Sequence, residues 1–198
     1  HKDSMGTGSV IVPGDVQYMS AGSGVRHSEF NASKTEVTHF YQIWILPNTE
    51  GATPRYDQKR FDEESRRGRL RLIASGTGAD GSIAVRQDVN VYASILEPGG
   101  STSLALDGKR HLWVQALRGS FDVNGTTLSE GDGLAASGET QIAFAGRDRR
   151  AELLAFIKAQ CKVGITDVNG EKHIFILLLL IYVEITVLLH KREQVRAG

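Results

Sequence analysis

A single cysteine, Cys161, stands in 198 residues. An internal disulfide is therefore excluded, and no second thiol is available for a CxxC metal or redox motif. Excess charge is also lacking: 23 Lys and Arg balance 23 Asp and Glu. No net field draws the chain toward nucleic acid or an anionic bilayer, so direct nucleic-acid binding is not expected. The local basic run Arg66-Arg67-Gly68-Arg69-Leu70-Arg71 reads as the solvent face of a strand. Nor does the start at His1 show the charged, apolar and small-residue succession of a secretory signal. A reducing, cytoplasmic setting is the expectation. The opening His1-Lys2-Asp3-Ser4-Met5-Gly6 is turn chemistry of the kind that follows a strand, so we expect a strand upstream.

Long amphipathic helical periodicity is the next absence. From residue 8 to about residue 157, short apolar or alternating runs are separated by Gly, Pro, Asn and Asp, an all-β pattern. The expected strands are Val16 to Ala21, Val25 to Phe30, Val37 to Leu46, Leu70 to Ala74, Val89 to Leu96, Ser101 to Leu106, His111 to Leu117, Ser120 to Val123, Gln141 to Phe144 and Glu152 to Phe156. Asn124-Gly125 marks a two-residue hairpin, because a type I′ turn needs positive φ at both central residues. Pro13-Gly14-Asp15 and Glu130-Gly131-Asp132 occupy similar places in two halves. That echo suggests two related barrels in tandem.

What the chain does carry is a histidine and a glutamate two residues apart, His27 and Glu29, on one expected strand. Alternate residues of a strand project from the same face, so the two side chains can grip one ion. Imidazole nitrogen with carboxylate oxygen suits a first-row transition metal, whereas magnesium and calcium prefer all-oxygen sites. Two ligands are half of such a site. The second half offers no equivalent: after Gly131-Asp132 comes Gly133-Leu134-Ala135-Ala136-Ser137, without histidine. His111, beside Arg110 at a strand start, reads as a surface or hydrogen-bonded histidine. On spacing alone, His27 and Glu29 could equally be a polar pair lining a barrel mouth.

The context of the pair narrows the choice. Gly24-x2-His27-x3-Asn31 after a Pro-Gly-Asp turn resembles the second metal motif of the cupin superfamily. Ser20 to Asn31, then His39-Phe-Tyr-Gln-Ile-Trp-Ile-Leu-Pro47, then Gly51-x2-Pro54-x-Tyr56-x-Gln58-x2-Phe61, is similar to the pirin family, and within it to bacterial quercetin 2,3-dioxygenases. The similarity covers about residues 1 to 157. It implies an all-β bicupin with one divalent metal in the first barrel, held by three His and one Glu. His27 and Glu29 match two of those ligands. The other two form a His-x-His pair on an earlier strand, before the segment where this sequence begins. His1 matches a family position that is not a ligand, and neither it nor His39 replaces that pair. Iron is the first expectation for the metal, with Mn, Ni, Cu, Co and Zn also admitted by the ligand types.

The resemblance further implies oxygenation of the central ring of a flavonol such as quercetin, with loss of carbon monoxide. Glu29 would accept the 3-hydroxyl proton as a base as well as facing the metal. The alternative is a non-enzymatic, metal-tuned regulator that binds protein partners. Gln42, Trp44, Tyr56, Gln58 and Phe61 could shape an aromatic pocket, although Trp44 and Phe61 read rather as packing. Arg26 and Ser28 alternate with the pair and should face away from it.

By this reading residues 1–66 are the remainder of the metal-binding barrel with its connection, residues 67–157 a metal-free barrel, and residues 158–198 a tail outside the family pattern. Its apolar segment 174–189 admits three readings: a membrane anchor, a packing segment, or a stretch foreign to the family. A spanning helix wants roughly 20 apolar residues, and a carboxylate such as Glu184 near its centre costs roughly 2.5 to 3.5 kcal/mol on insertion scales. The anchor is therefore not the preferred reading.

Overall fold

Strands follow one another almost without interruption in the computed structural model, which describes residues 1–159, 164–170 and 183–191. In chain order they are β1 (Lys2–Asp3), β2 (Asp15–Ser20), β3 (His27–Ser28), β4 (Thr38–Ile45) and β5 (Arg55–Arg60), then a single helical turn α1 (Glu63–Arg66). Next come β6 (Arg71–Ser75), β7 (Ile83–Ala84), β8 (Val89–Leu96), β9 (Ser101–Ala105) and β10 (His111–Arg118). They are followed by β11 (Ser120–Val123), β12 (Thr126–Ser129), β13 (Gly133–Ser137), β14 (Gln141–Gly146) and β15 (Ala151–Lys158). Two more, β16 (Gly164–Gly170) and β17 (Val183–Lys191), lie in the tail.

Contacts divide the chain into two units, residues 1–60 with 163–198, and residues 61–162. The sequence reading set the boundary after residue 66 and kept residues 158–198 apart. In the structure α1 falls in the second unit, while β17 pairs with both β2 and β4 and β16 pairs with β4 in the first. Residues 171–182, which include much of the apolar segment, lie outside the described residues. Among those described, no helix is long and apolar enough to cross a membrane.

In the second unit a six-stranded sheet, β13-β10-β15-β8-β6-β7, and a four-stranded sheet, β12-β11-β14-β9, share one core. The sequence dictates which strand sits where. β14, Gln-Ile-Ala-Phe-Ala-Gly, alternates exposed and buried positions, as a strand with one wet face must. β15, Ala-Glu-Leu-Leu-Ala-Phe-Ile-Lys, is buried at every position and lies between β10 and β8. Leu112, Val114, Phe121, Ile142, Phe144 and Leu153 fill the interior, each at most 1% exposed. Fully burying such a side chain stabilises by about 1.5–3 kcal/mol. The second barrel is thus packed with its own side chains. Asn124 and Gly125 turn between β11 and β12 with φ of 46° and 81°, the geometry their sequence required.

The first unit has a five-stranded sheet, β16-β4-β17-β2-β5, and a short ribbon of β1 on β3. β2 is buried at all six positions, with Val16 and Tyr18 at its centre. The ribbon corrects one expectation. A strand was predicted from Val25 to Phe30, but pairing is confined to His27 and Ser28, since only Lys2 and Asp3 lie opposite. The basic run is corrected as well. Arg66 lies in α1, is only 4% exposed, and points to Glu152, instead of forming a strand's solvent face. Asp62 caps that turn by accepting from Ser65 N at 2.8 Å, and the strand begins only at Arg71.

Candidate metal centre

The β1–β3 ribbon positions the pair. Asp3 stands opposite His27 and Lys2 opposite Ser28. Because alternate residues share a face, His1 and Asp3 lie on the same side as His27 and Glu29, and Lys2, Arg26 and Ser28 on the other. On that other side Lys2 and Arg26 are exposed and Ser28 half-buried, and an open cleft of about 450 Å³ at the ribbon is bordered by all three together with Asp3 and His27. The inner side is enclosed, with His27 at 6% and Glu29 at 8% exposure.

Gly22 and Gly24 aim the chain into this ribbon. A Cβ on Gly22 would lie 1.9 Å from the Ala52 carbonyl oxygen, and its φ of +54° is the left-handed region that favours glycine. The close approach lets Ser23 N donate to that same oxygen at 3.0 Å, fixing the turn before the pair.

His1 is the residue sequence reasoning missed. Its enclosed side chain brings Nδ1 to 2.7 Å from Glu29 Oε1 and Nε2 to 3.2 Å from Asp3 Oδ2. The ring stacks on Tyr56 at 4.7 Å and lies 5.8 Å from the His27 ring. Burial works against charge on the imidazole, yet the hydrogen bonds to Glu29 and Asp3 outweigh it, so the His1 pKa is raised above the ordinary value. Burial likewise opposes ionisation of Asp3, and its hydrogen bonds from His1, Thr7 N and Met5 N reverse that and lower its pKa.

Gln17, reaching in from β2, donates from Nε2 to Glu29 Oε1 at 2.9 Å, with the same nitrogen 2.8 Å from His1 Nδ1. Beyond the His1 ring a second network begins. Tyr56 OH lies 2.5 Å from Ser9 Oγ and donates to Gln58 Oε1 at 2.7 Å. Gln58 Nε2 in turn donates to Asp15 Oδ2 at 2.8 Å. Burial pushes the Tyr56 phenol up from its ordinary pKa, keeping it a donor.

Of the expected pocket residues, Tyr56 reaches the site through His1, and Gln58 through Tyr56. Phe61 falls in the second unit, with the Arg71 guanidinium 5.5 Å from its ring centre, so it packs there. Gln42 is buried on β4, Trp44 is half-buried, and His39 tilts against Tyr41 at 5.0 Å. His111 Nδ1 meets Ser137 Oγ at 2.7 Å, a hydrogen-bonded histidine as expected. The signal for His1 and Asp3 was their two-residue spacing, which repeats that of His27 and Glu29. What could not be read was that the two segments pair.

Imidazole nitrogen and carboxylate oxygen, enclosed on one face, fit part of the coordination sphere of a first-row divalent ion. Among the described residues, no group of three His, Cys, Asp or Glu is arranged to hold a metal. Both hydrogen bonds that His1 and Gln17 make to Glu29 fall on Oε1.

Two β-sheet units, one with a buried histidine and glutamate on its ribbon and one with an apolar packed core, have the architecture of a tandem cupin protein. Residues 1–45 match the Pirin family model, and residues 72–156 match that of the quercetinase C-terminal cupin domain. The chain belongs to the pirin family. It is 40% identical over 156 residues to a quercetin 2,3-dioxygenase of Escherichia coli K12, covering 79% of this chain and 66% of the relative. It is also 40% identical over 143 residues to a putative quercetin 2,3-dioxygenase of Pseudomonas aeruginosa, covering 72% of this chain and 61% of that one. The crystal structure of E. coli YhhW superposes with a TM-score of 0.74 at 39% identity, over 79% of this chain and 65% of that chain. A nickel(II) complex of the same bacterial pirin gives 0.72 at 38% identity, over 79% and 66%. The chain thus spans two thirds or less of the length of the relatives it matches.

Proposed function

We propose that this chain takes part in metal-dependent ring-opening dioxygenation of a flavonol-like substrate, the activity its relatives' names carry. The observation that supports this most is the enclosed His27 and Glu29 pair, set on one ribbon face within the stretch matching the Pirin model. His27 and Glu29 would hold the divalent ion, iron first, and the ion when bound would supply Lewis-acid and redox chemistry toward the flavonol and dioxygen.

The chain's own residues account for the proton and the orientation. Glu29 accepts the proton of the substrate's 3-hydroxyl, and with Oε1 committed to His1 and Gln17, the accepting oxygen is Oε2. His27 stands opposite Asp3 on the ribbon face that carries Glu29 and also borders the open cleft beside the ribbon, which gives a substrate a way to the pair. Burial of the pair excludes water, so a phenolate formed there interacts strongly with nearby charge. The packed interior of the second barrel leaves it a supporting role.

The test is loss of quercetin absorbance and release of carbon monoxide by the full chain supplied separately with Fe(II), Mn(II), Ni(II), Co(II), Cu(II) or Zn(II). Turnover with at least one ion, abolished by His27→Ala, supports the proposal. No turnover with any ion contradicts it.

A further inference from the structure

The contacts around Glu29 are more specific than a metal pair alone requires. One carboxylate oxygen, Oε1, receives His1 Nδ1 at 2.7 Å and Gln17 Nε2 at 2.9 Å. His1 is itself fixed from two further sides: Asp3 Oδ2 at 3.2 Å from Nε2 and the Tyr56 ring at 4.7 Å. Asp3 is locked by Met5 N and Thr7 N, each donating to its Oδ1 at 2.9 Å. Gln17 sits in a strand buried at every position, so its reach is equally fixed. Tyr56 is held in turn by Ser9 and Gln58.

We infer that His1 and Gln17 are positioning residues that pin Oε1 of Glu29 and thereby present Oε2 as the single oxygen for metal or substrate. The physical reason is rotational. A glutamate has three side-chain torsions, and the last is broad and roughly two-fold, so an unpinned carboxylate exchanges its two oxygens. Two donors converging on one oxygen remove that freedom before any ligand arrives. Groups that hydrogen-bond a ligating carboxylate set its orientation in this way, and losing one typically lowers metal affinity by about 10- to 100-fold. His1 therefore acts at the site through Glu29, whereas its family position is not that of a ligand. This inference rests on the metal reading of His27 and Glu29 proposed above.

The experiment measures Co(II) binding to the full chain by calorimetry and by the visible spectrum of the bound ion, alongside proton NMR of ring N–H groups. The substitutions are His1→Phe, which keeps a ring against Tyr56 but has no nitrogen, His1→Gln, which restores a donor, and Gln17→Leu. His1→Phe and Gln17→Leu should each weaken Co(II) binding about tenfold or more and alter its spectrum, with far-UV circular dichroism unchanged. His1→Gln should recover most of the affinity, which a purely packing role for the ring would not produce. The His1 Nδ1 proton should appear far downfield in the metal-free chain and vanish in Glu29→Leu. Unchanged or tighter Co(II) binding by His1→Phe and Gln17→Leu, or absence of that proton, overturns the inference. A present proton in a chain that binds no Co(II) refutes its metal-orienting part and the metal reading together, while sparing the hydrogen bond itself.

Discussion

Asp15 and Asp132 hold the same place in the same turn, one in each unit. Asp15 N donates to Val12 O at 2.9 Å and its Oδ2 accepts from Val12 N at 3.0 Å. Asp132 N donates to Ser129 O at 2.9 Å and its Oδ2 accepts from Ser129 N at 2.9 Å. The glycine before each, Gly14 and Gly131, has φ of 92°. The two units thus share one four-residue turn, Val12–Asp15 and Ser129–Asp132. The copies differ in surroundings: Asp15 is 5% exposed and also accepts from Gln58 Nε2, whereas Asp132 is exposed. Asp15→Ala should cost about 2–3 kcal/mol and Asp132→Ala about 1 kcal/mol or less, by urea denaturation. Equal costs would mean the first turn gains nothing from its buried network.

The turns, the tandem barrels and most strands of the second unit were legible in sequence because they rest on local signals: Gly-Asp and Asn-Gly turns and period-two burial. Val89 to Leu96 and Ser120 to Val123 are observed at the expected bounds. Arg55–Arg60 was not anticipated, since Arg-Tyr-Asp-Gln-Lys-Arg has no apolar alternation and becomes a strand by pairing with β2. His27 and Glu29 were visible as a pair because their spacing alone puts them on one face. His1, Asp3 and Gln17 were not, because their placement depends on which distant strands pair, and no local periodicity encodes that.

Gly22→Ala should disable the approach to the metal centre. The added Cβ would meet the Ala52 backbone oxygen at 1.9 Å, a contact no side-chain movement can relieve. A loss of about 3 kcal/mol or more is expected from overpacking combined with the left-handed φ. Gly24→Ala, with φ of +129° and open space around it, should cost only the backbone strain, about 1–3 kcal/mol. Thermal unfolding of the two variants decides. A smaller loss at Gly22 would contradict the close approach.

Glu152 is 1% exposed and carries two arginines: Arg150 Nη2 at 3.1 Å and Arg66 Nη1 at 3.9 Å from its carboxylate. Arg150 also forms a two-armed pair with Glu63 of α1, at 2.9 and 3.1 Å. Removing the central carboxylate strands the buried Arg66 charge. Glu152→Leu should destabilise the chain by about 3–5 kcal/mol, and the combined Glu152→Leu, Arg66→Met change should recover much of that. A double variant no better than the single would show that charge burial is not the cause.

Asp88 and Arg110 make a two-armed pair at 2.6 and 2.8 Å, and the hydrogen bond from Arg110 lowers the Asp88 pKa below its ordinary value. A depressed folded pKa stabilises the fold above the unfolded carboxylate value, and this contribution disappears as pH falls through the folded one. With Asp88 62% exposed, solvent screening limits the contribution to about 1 kcal/mol or less. Asp88→Asn should therefore lower Tm slightly at pH 7 and leave it unchanged well below the folded pKa. An equal deficit at both pH values would contradict this linkage.

The central claim, that His27 and Glu29 hold a divalent ion for flavonol oxygenation, is tested most directly by carbon monoxide release from quercetin by the Fe(II)-supplied chain and its Glu29→Gln variant. Release by the unsubstituted chain, falling at least about 100-fold in Glu29→Gln, is the expected result for a base that also faces the metal. Equal release by both chains, or none from the unsubstituted chain with any divalent ion, would contradict it.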